Sequence, residues 1–293
     1  HKHDLPLRIV FENYGKMNDL AGEFKGLGIV DARKAIIEKL GDALVSQKEI
    51  SHAVNVHERC KTPVEFIKTK QWYIKILEHK EELLQAANMI TWYPAHMKVR
   101  YDHWVENLNW DWCISRQRFF GIPIPIWICL SCNKNIIPEL SELPVNPSVD
   151  KKECECGGEV VGETDVLDTW ATSSTSPEIA TNWANKGEYD FQYVDKAMSL
   201  RPQAHDIIRT WLFYTMVKSW YHHQRVPWET VVISGHAQDQ HGKKMSKSVG
   251  NIVEPMEMIG KYSADALRYW ASGSKLGEDL PFQEKDLVTG QKF

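Results

Sequence analysis

Thr230-Val231-Val232-Ile233-Ser234-Gly235-His236 is followed, after a short polar link, by His241-Gly242-Lys243-Lys244-Met245-Ser246-Lys247-Ser248-Val249-Gly250-Asn251. The apolar run reads as a buried strand. Pro255 opens a helix-compatible pattern beyond the second stretch. Between them, two lysines three residues apart, set among small hydroxylated residues and flanked by glycines, make a mobile cationic loop hung from a rigid sheet. Such a loop suits polyphosphate. Preorganised cations stabilise the charge that develops on a leaving pyrophosphate, and each well-placed donor is worth about 3 kcal/mol of barrier. Lys244 and Lys247 are the candidates for that role. A lone lysine pair at this spacing is more often a solvated basic turn, so the pair decides nothing by itself.

Around this stretch, residues 163–293 alternate strand-like and helix-like runs, as a parallel sheet with crossover helices would. Ala197-Met198-Ser199-Leu200 reads as a strand and Arg201-Pro202-Gln203-Ala204-His205-Asp206 as a polar corner. Ile207, Ile208, Trp211, Leu212, Thr215 and Met216 then continue as a helix. In doubly wound sheets ligands sit at such strand carboxyl ends.

Residues 1–62 read as a small α+β piece. In it Leu7, Ile9 and Phe11 alternate as a strand, and Asp31 caps a helix carrying Ala32, Ala35, Ile36 and Leu40 before Gly41. Residues 63–126 show helical periodicity through Ile76, Leu77, Leu83, Leu84 and Ala87. They end in Cys113-Ile114-Ser115-Arg116-Gln117-Arg118-Phe119-Phe120-Gly121-Ile122-Pro123-Ile124-Pro125-Ile126-Trp127, where the prolines favour an extended rim. Arg116 and Arg118 there either face phosphate or are satisfied in salt bridges at a domain junction.

Residues 127–162 form a separate insert holding Cys129-Leu130-Ser131-Cys132 and Cys154-Glu155-Cys156. A CxxC knuckle presents two thiolates on one side, and a second pair completes a tetrahedral zinc site. The second pair is CxC, so Glu153, Glu155 or a histidine is the alternative fourth ligand. With four sulfurs and no open position, the metal would hold the fold and do no chemistry.

At 293 residues with 43% hydrophobic content and 12 tryptophans, the chain has ample material for an ordered core. Six cysteines, four of them bunched, suit a metal in a reducing compartment better than a disulfide framework. The net charge of −4 neither advertises nor excludes a nucleic-acid partner, because phosphate contacts depend on local lysine and arginine clusters. With neither a signal peptide nor an apolar run of membrane-spanning length, the expectation is a cytoplasmic protein with no membrane partner. The abrupt start at His1 suggests an internal piece of a longer chain.

The pentapeptide Lys244-Met245-Ser246-Lys247-Ser248 resembles the signature loop of class I aminoacyl-tRNA synthetases. Ser115 to Trp127, Glu163-Thr164-Asp165-Val166-Leu167-Asp168-Thr169-Trp170-Ala171-Thr172-Ser173-Ser174 and Arg201-Pro202-Gln203-Ala204-His205-Asp206-Ile207-Ile208-Arg209-Thr210-Trp211 extend the resemblance to the valine-specific enzymes of archaea. Isoleucine enzymes usually carry a pattern like EGxDQxRGWF at the last of these, which is absent here. The resemblance implies the second half of a Rossmann-like nucleotide fold in 163–293, reached through a connecting segment in 63–126. It also implies a zinc ribbon in 127–162 and the tail of an editing domain in 1–62, where Asn18 to Leu27 match a strand and loop beyond the hydrolytic pocket.

Carried onto this sequence, the resemblance makes Lys244, Ser246 and Lys247 catalytic. Gln203, Ala204, Asp206, His236, Met245, Ser248 and Asn251 bind ATP or the adenylate, with His205 also able to face phosphate. Trp170, Ile207 and Trp211 wall a valine pocket, and Cys129, Cys132, Cys154 and Cys156 hold zinc. The implied partners are valine, ATP with Mg2+, tRNA and the remainder of the synthetase chain. The family's HIGH-like motif, acidic editing residues and anticodon-binding domain have no counterpart in these 293 residues. The expected function is therefore valine–tRNA ligation, with this stretch inactive alone. The rival readings are a non-catalytic zinc-containing RNA- or protein-binding module with a synthetase-like shell, and an isoleucine-specific synthetase.

Overall fold

Strand Trp228–Ser234 lies at the centre of a three-stranded parallel sheet in the computed structural model, which describes residues 6, 8–57, 60–181 and 197–293. The chain divides into two compact units, His1–Lys70 and Gln71–Phe293. In the second, Trp228–Ser234 pairs with Thr91–Tyr93 on one side and with Met198–Ala204 on the other. Val231 and Ile233 are fully buried, and helices Lys80–Asn88, Lys98–Glu106 and Phe213–His223 pack Leu83, Tyr101, Val105, Phe213 and Met216 into the same core. Val231 and Ile233 on one face are fully buried and Val232 on the other is half-buried, so apolar residues serve both faces of this central strand and its sequence is a continuous apolar run.

The neighbouring strand differs from expectation. It runs from Met198 through Arg201, Pro202 and Gln203 to Ala204, so the stretch read as a polar corner is the second half of the strand. Within the described residues this strand is at the sheet edge, where the N–H that Pro202 lacks costs no ladder bond. The corner comes later, as the short turn His205–Ile207, and the helix opens with a single π-helical turn at Ile208–Leu212. Pro255 does begin a helix, Pro255–Tyr262, which joins Ala264–Ser272 and Glu284–Gly290 around a small core of Tyr262, Ala266, Phe282 and Leu287.

The periodicity through Leu83 and Ala87 is the helix Lys80–Asn88, with Ile76 buried ahead of it. The proline-containing rim is extended as expected: Ser115–Arg116 pairs with Val166–Leu167, and Pro123 bridges to Val166. A Cβ on Gly121 would sit 2.5 Å from the Val166 side chain, so this close approach requires glycine. Strand Trp127–Cys129, flanked by Asn135–Ile136 and Val160–Gly162, forms a three-stranded antiparallel sheet that carries the cysteine knuckles.

In the first unit, helix Ile29–Leu40 is preceded by Gly28 at its cap position, and Asp31 falls in the first turn. There its carboxylate favours the positive end of the helix instead of capping it. Gly41 ends the helix with φ of 44°. Of the expected apolar face Ala32 is buried, whereas Ile36 and Leu40 are exposed. Phe11 forms only an isolated bridge to Met17, so no strand and no α+β arrangement exists among the described residues of this unit; Leu7 lies outside them. Alternation alone builds no strand where no extended partner is presented.

Replacing Ile233 by Ala should cost about 2–5 kcal/mol in urea unfolding, because the fully buried side chain leaves a cavity in the central strand. Leu200→Ala, on the neighbouring strand and 53% exposed, should stay within about 1 kcal/mol of the parent.

Candidate active site

Ala204 and Ser234 are paired across the sheet, so the residues that follow them leave its carboxyl edge side by side. The His205 and His236 rings meet edge to face with centroids 4.5 Å apart. Asp206 Oδ2 lies 3.8 Å from His236 Nε2 and 3.4 Å from Lys244 Nζ. Asp206, His236 and Lys244, far apart in sequence, are thus brought together. Behind them Gln203 is 7% exposed, and its side-chain oxygen finds no partner among the described residues. An unmet buried acceptor costs about 1–3 kcal/mol, which a hydroxyl or ammonium donor of a ligand would recover. Ala204 offers its carbonyl to the Gln203 amide at 3.4 Å.

The lysine loop is anchored at its root. Asp239, 7% exposed, accepts the backbone N–H groups of His241 and Lys243 at 2.9 and 2.8 Å and the Asn251 side-chain amide at 2.8 Å. Asn251 in turn accepts the Ser246 N–H at 2.9 Å and donates to the Lys244 carbonyl at 3.2 Å. The Asn251 amide, first, and the two N–H groups hold the Asp239 carboxyl below the usual carboxylate range. Met245 is tucked against Val253, its sulfur accepting that residue's N–H at 3.3 Å, and the Ser246 and Ser248 hydroxyls lie 2.8 Å apart. Lys247 is exposed and has no ion pair among the described residues. Both ends of the loop are latched, while of its two signature lysines Lys244 reaches Asp206 and Lys247 projects outward.

Asp239 and Asp279 were not singled out in the sequence. Asp239 had a local signal: an aspartate three residues before Gly242, which has φ of 71°, is the composition of a side-chain-capped turn. Asp279 had none. It receives His205 Nε2, the His236 backbone N–H and Gln238 Nε2, each at 2.8 Å, and is 74 residues from His205. The His236 N–H and then the His205 ring hold its carboxyl below the usual range.

Trp211 is 7% exposed, and its Nε1–H donates to the Ser173 carbonyl at 2.9 Å, in the short helix Thr169–Ser173 that carries Trp170. Trp170 and Ile207 are half-buried against the same core. The three residues expected to line one pocket therefore share one cluster, and the Arg201 guanidinium stacks over the Trp211 ring. Arg116 follows the salt-bridge alternative: it lies 3.3 Å from the buried Asp168 and donates to the carbonyls of Cys113 and Ser115. Arg118 is exposed, without a partner among the described residues.

All four cysteine sulfurs converge within 4.8 Å. Cys129 and Cys132 lie 3.4 and 3.5 Å from Cys156, and Cys132 and Cys154 are 3.6 Å apart. Tetrahedral sulfurs at a zinc–sulfur bond of about 2.3 Å are roughly 3.8 Å apart, so this donor set fits zinc with little adjustment. The CxC spacing is no obstacle, with Cys154 and Cys156 at 3.4 Å. Glu155 is not drawn in as a substitute ligand, since it is exposed and paired with Lys134 at 2.8 Å. The N–H of Cys132, first, then the Cys156 thiol and the N–H of Ser131 pull the Cys129 thiol down to about 6. Cys156, although the Gly158 N–H favours its thiolate, is pushed up to about 12 by the three sulfurs around it. A divalent cation at the centre removes that conflict.

Residues 9–283 match the family model of class I tRNA synthetases (I, L, M and V). The chain belongs to that family. It is 46% identical to a valine–tRNA ligase of Thermoplasma acidophilum over 99% of this chain and 37% of that protein. It is 44% identical to one of Methanopyrus kandleri over 100% of this chain and 32% of that protein. The chain thus spans about a third of the length of the curated relatives it matches. Among solved structures, methionyl-tRNA synthetase of Mycobacterium tuberculosis bound by methionyl-adenylate aligns with a TM-score of 0.58 at 19% identity, over 82% of this chain and 41% of that one. A LeuRS of Agrobacterium radiobacter in a ternary complex with tRNA and LeuAMS aligns with a TM-score of 0.53 at 22% identity, over 68% and 30%. At those identities the likeness establishes the shared mixed α/β synthetase fold.

Asp239→Ala should release the root of the lysine loop. Limited trypsin digestion is expected to cut after Lys243, Lys244 or Lys247 at least several times faster than in the parent, with the far-UV spectrum unchanged.

Proposed function

We propose that this chain carries one half of the adenylate-forming site of a valine–tRNA ligase, inactive without the half that holds the HIGH-like motif. The observation that supports it best is the convergence of Lys244, Asp206 and His236 at the paired carboxyl ends of two parallel strands, where ligands of open α/β sheets bind. The reaction is attack of the valine carboxylate on the α-phosphorus of ATP, which enters with Mg2+. Pyrophosphate leaves, and the aminoacyl group then passes to the terminal ribose of tRNA. Lys244 and Lys247 neutralise the departing pyrophosphate, and Ser246 and Ser248 offer hydroxyl donors beside them. Gln203, the Ala204 backbone, Asp206 and His236 hold the ribose and amino-acid end. Met245 and Asn251 set the loop's shape. Positioning and electrostatics do most of the work in such a transfer.

Trp170, Ile207 and Trp211 form the side-chain pocket, where rigid rings define a small apolar volume at little entropic cost. The valine assignment leans on the relatives named above, which are valine enzymes, and on the absence of the isoleucine pattern. Residues 1–62 belong to the tail of an editing domain, 63–126 return the chain to the catalytic domain, 127–162 are a zinc insert, and 163–293 are the second half of the Rossmann-like fold. Cys129, Cys132, Cys154 and Cys156 hold a structural zinc that ties the insert together. Among the described residues no helix is long and apolar enough to cross a membrane. The cytoplasm, as the working compartment, is what membership of the synthetase family implies.

The test is valine-dependent pyrophosphate exchange with ATP, run on this chain alone and with a separately made amino-terminal piece carrying the HIGH-like motif. Exchange only in the combination, with valine far above isoleucine, is the expected result. Preference for isoleucine would replace the substrate assignment, and a folded protein silent in both would favour the non-catalytic module. In the active combination, Lys247→Ala should lower the exchange rate by about 100-fold or more, the loss typical of one transition-state donor. Metal analysis should find one zinc per chain, lost in Cys154→Ser together with the near-ultraviolet signal of Trp127, which opens the insert.

A further inference from the structure

Asp279 lies 31 residues beyond the lysine loop's Ser248, yet it joins both strand exits of the site. Its Oδ1 receives His205 Nε2 and the His236 backbone N–H, and its Oδ2 receives Gln238 Nε2, all at 2.8 Å. The carboxylate therefore holds three donors, tying the turn after Ala204 to the turn after Ser234. We propose that Asp279 is a positioning residue of the nucleotide site, which sets the His205 ring and, through it and the backbone, the His236 ring. The proposal rests on the adenylate-site reading above for its consequence in turnover, but not for its geometry.

Three observations support it. First, the backbone of Asp279 is held independently of its side chain. Gly277 N–H reaches the Ile233 carbonyl at 2.8 Å, Leu280 N–H the His236 carbonyl at 2.8 Å and Phe282 N–H the Gln238 carbonyl at 2.9 Å. The segment also packs so closely that a Cβ on Gly235 would lie 1.9 Å from the Glu278 carbonyl oxygen. The carboxylate is thus delivered from a fixed frame.

Second, both nitrogens of His205 are engaged. Arg100 approaches Nδ1 at 3.4 Å, and because a guanidinium only donates, that contact is a hydrogen bond in the tautomer that carries its proton on Nε2, facing Asp279; this is the tautomer the proposal assigns. With a contact on each nitrogen, His205 is placed to support its neighbour, and a phosphate would reach the ring only by displacing Arg100 or Asp279. Third, what it supports is His236: the two rings meet at 71° with centroids 4.5 Å apart, and His236 Nε2 is turned to the Asp206 side, 3.8 Å from its carboxylate. Removing Asp279 leaves His205 free to rotate and His236 without its edge-to-face neighbour.

The test compares Asp279→Ala and Asp279→Asn by two readouts. On the 293-residue chain labelled with 15N-histidine, the parent and Asp279→Asn should show His205 in a single tautomer protonated at Nε2, since an amide oxygen still accepts that proton. Asp279→Ala should show a tautomer mixture. In the combination used for pyrophosphate exchange, Asp279→Ala should lose about 100-fold in kcat, the scale of a misplaced functional group, with KM for valine little changed. Asp279→Asn should stay within about fivefold of the parent. An Asp279→Ala protein that keeps the single tautomer overturns the proposal. So does Asp279→Asn as damaged as Asp279→Ala in both readouts. If the parent gives no exchange at all, the functional reading fails and the tautomer measurement decides the positioning role alone.

Discussion

The register of Trp228–Ser234 against Met198–Ala204 is the constraint from which the site follows. Two parallel strands in register deliver their next residues to the same edge, and here the last pair is Ser234 with Ala204. A slip of one residue would turn Val231 and Ile233, both fully buried, toward the other face, so burial of those side chains fixes the pairing. The same burial fixes where His205, Asp206 and His236 emerge. Hydrophobic packing thus sets where the polar groups emerge, a placement that the Asp206 contacts at 3.4 to 3.8 Å are too weak to impose by themselves.

From that edge the chain builds outward in two grades of firmness. The turn at Asp239 is closed by hydrogen bonds to two N–H groups and an amide, and Asn251 returns the far end of the loop to the same carboxylate. Between those anchors, Lys244 and Lys247 project into solvent on flexible stems. A loop fixed at its root but free at its tip confines the cations to one region without committing them to one position. A site whose negative charge moves during reaction needs that combination.

Legibility in the sequence tracked the range of the interaction. Local signals read well: the buried strand through Ile233, the proline opening a helix at Pro255, the knuckle at Cys129 and Cys132, and Gly41 closing its helix. Where a local signal was overruled by partners, the reading failed. Pro202 looks like a corner until its strand is known to lie at a sheet edge, and Leu7, Ile9 and Phe11 look like a strand until no extended partner is found for Phe11 beyond an isolated bridge. Asp279 marks the limit, because its three contacts join segments 41 to 74 residues away and nothing near it in sequence announces them. The cysteines are the reverse case. The CxC spacing looks defective in the sequence, yet the fold brings all four sulfurs within 4.8 Å of one another, with Cys154 and Cys156 at 3.4 Å.

The weakness of the Lys244–Asp206 pair has its own consequence. At 3.4 Å, with the lysine side chain 66% and the aspartate 36% exposed, the pair contributes at most about 1 kcal/mol. Hydrogen bonds from an ammonium to a polyphosphate are charge-assisted on both sides and stronger. A ligand anion at the strand ends can therefore draw Lys244 from the carboxylate without opposing a deep minimum, and the departure leaves Asp206 beside His236 with an acceptor to offer. A buried, poorly screened ion pair in this position would cost several kcal/mol to break and would hold the loop shut against its ligand. An exposed one keeps the lysine near the site and lets it leave.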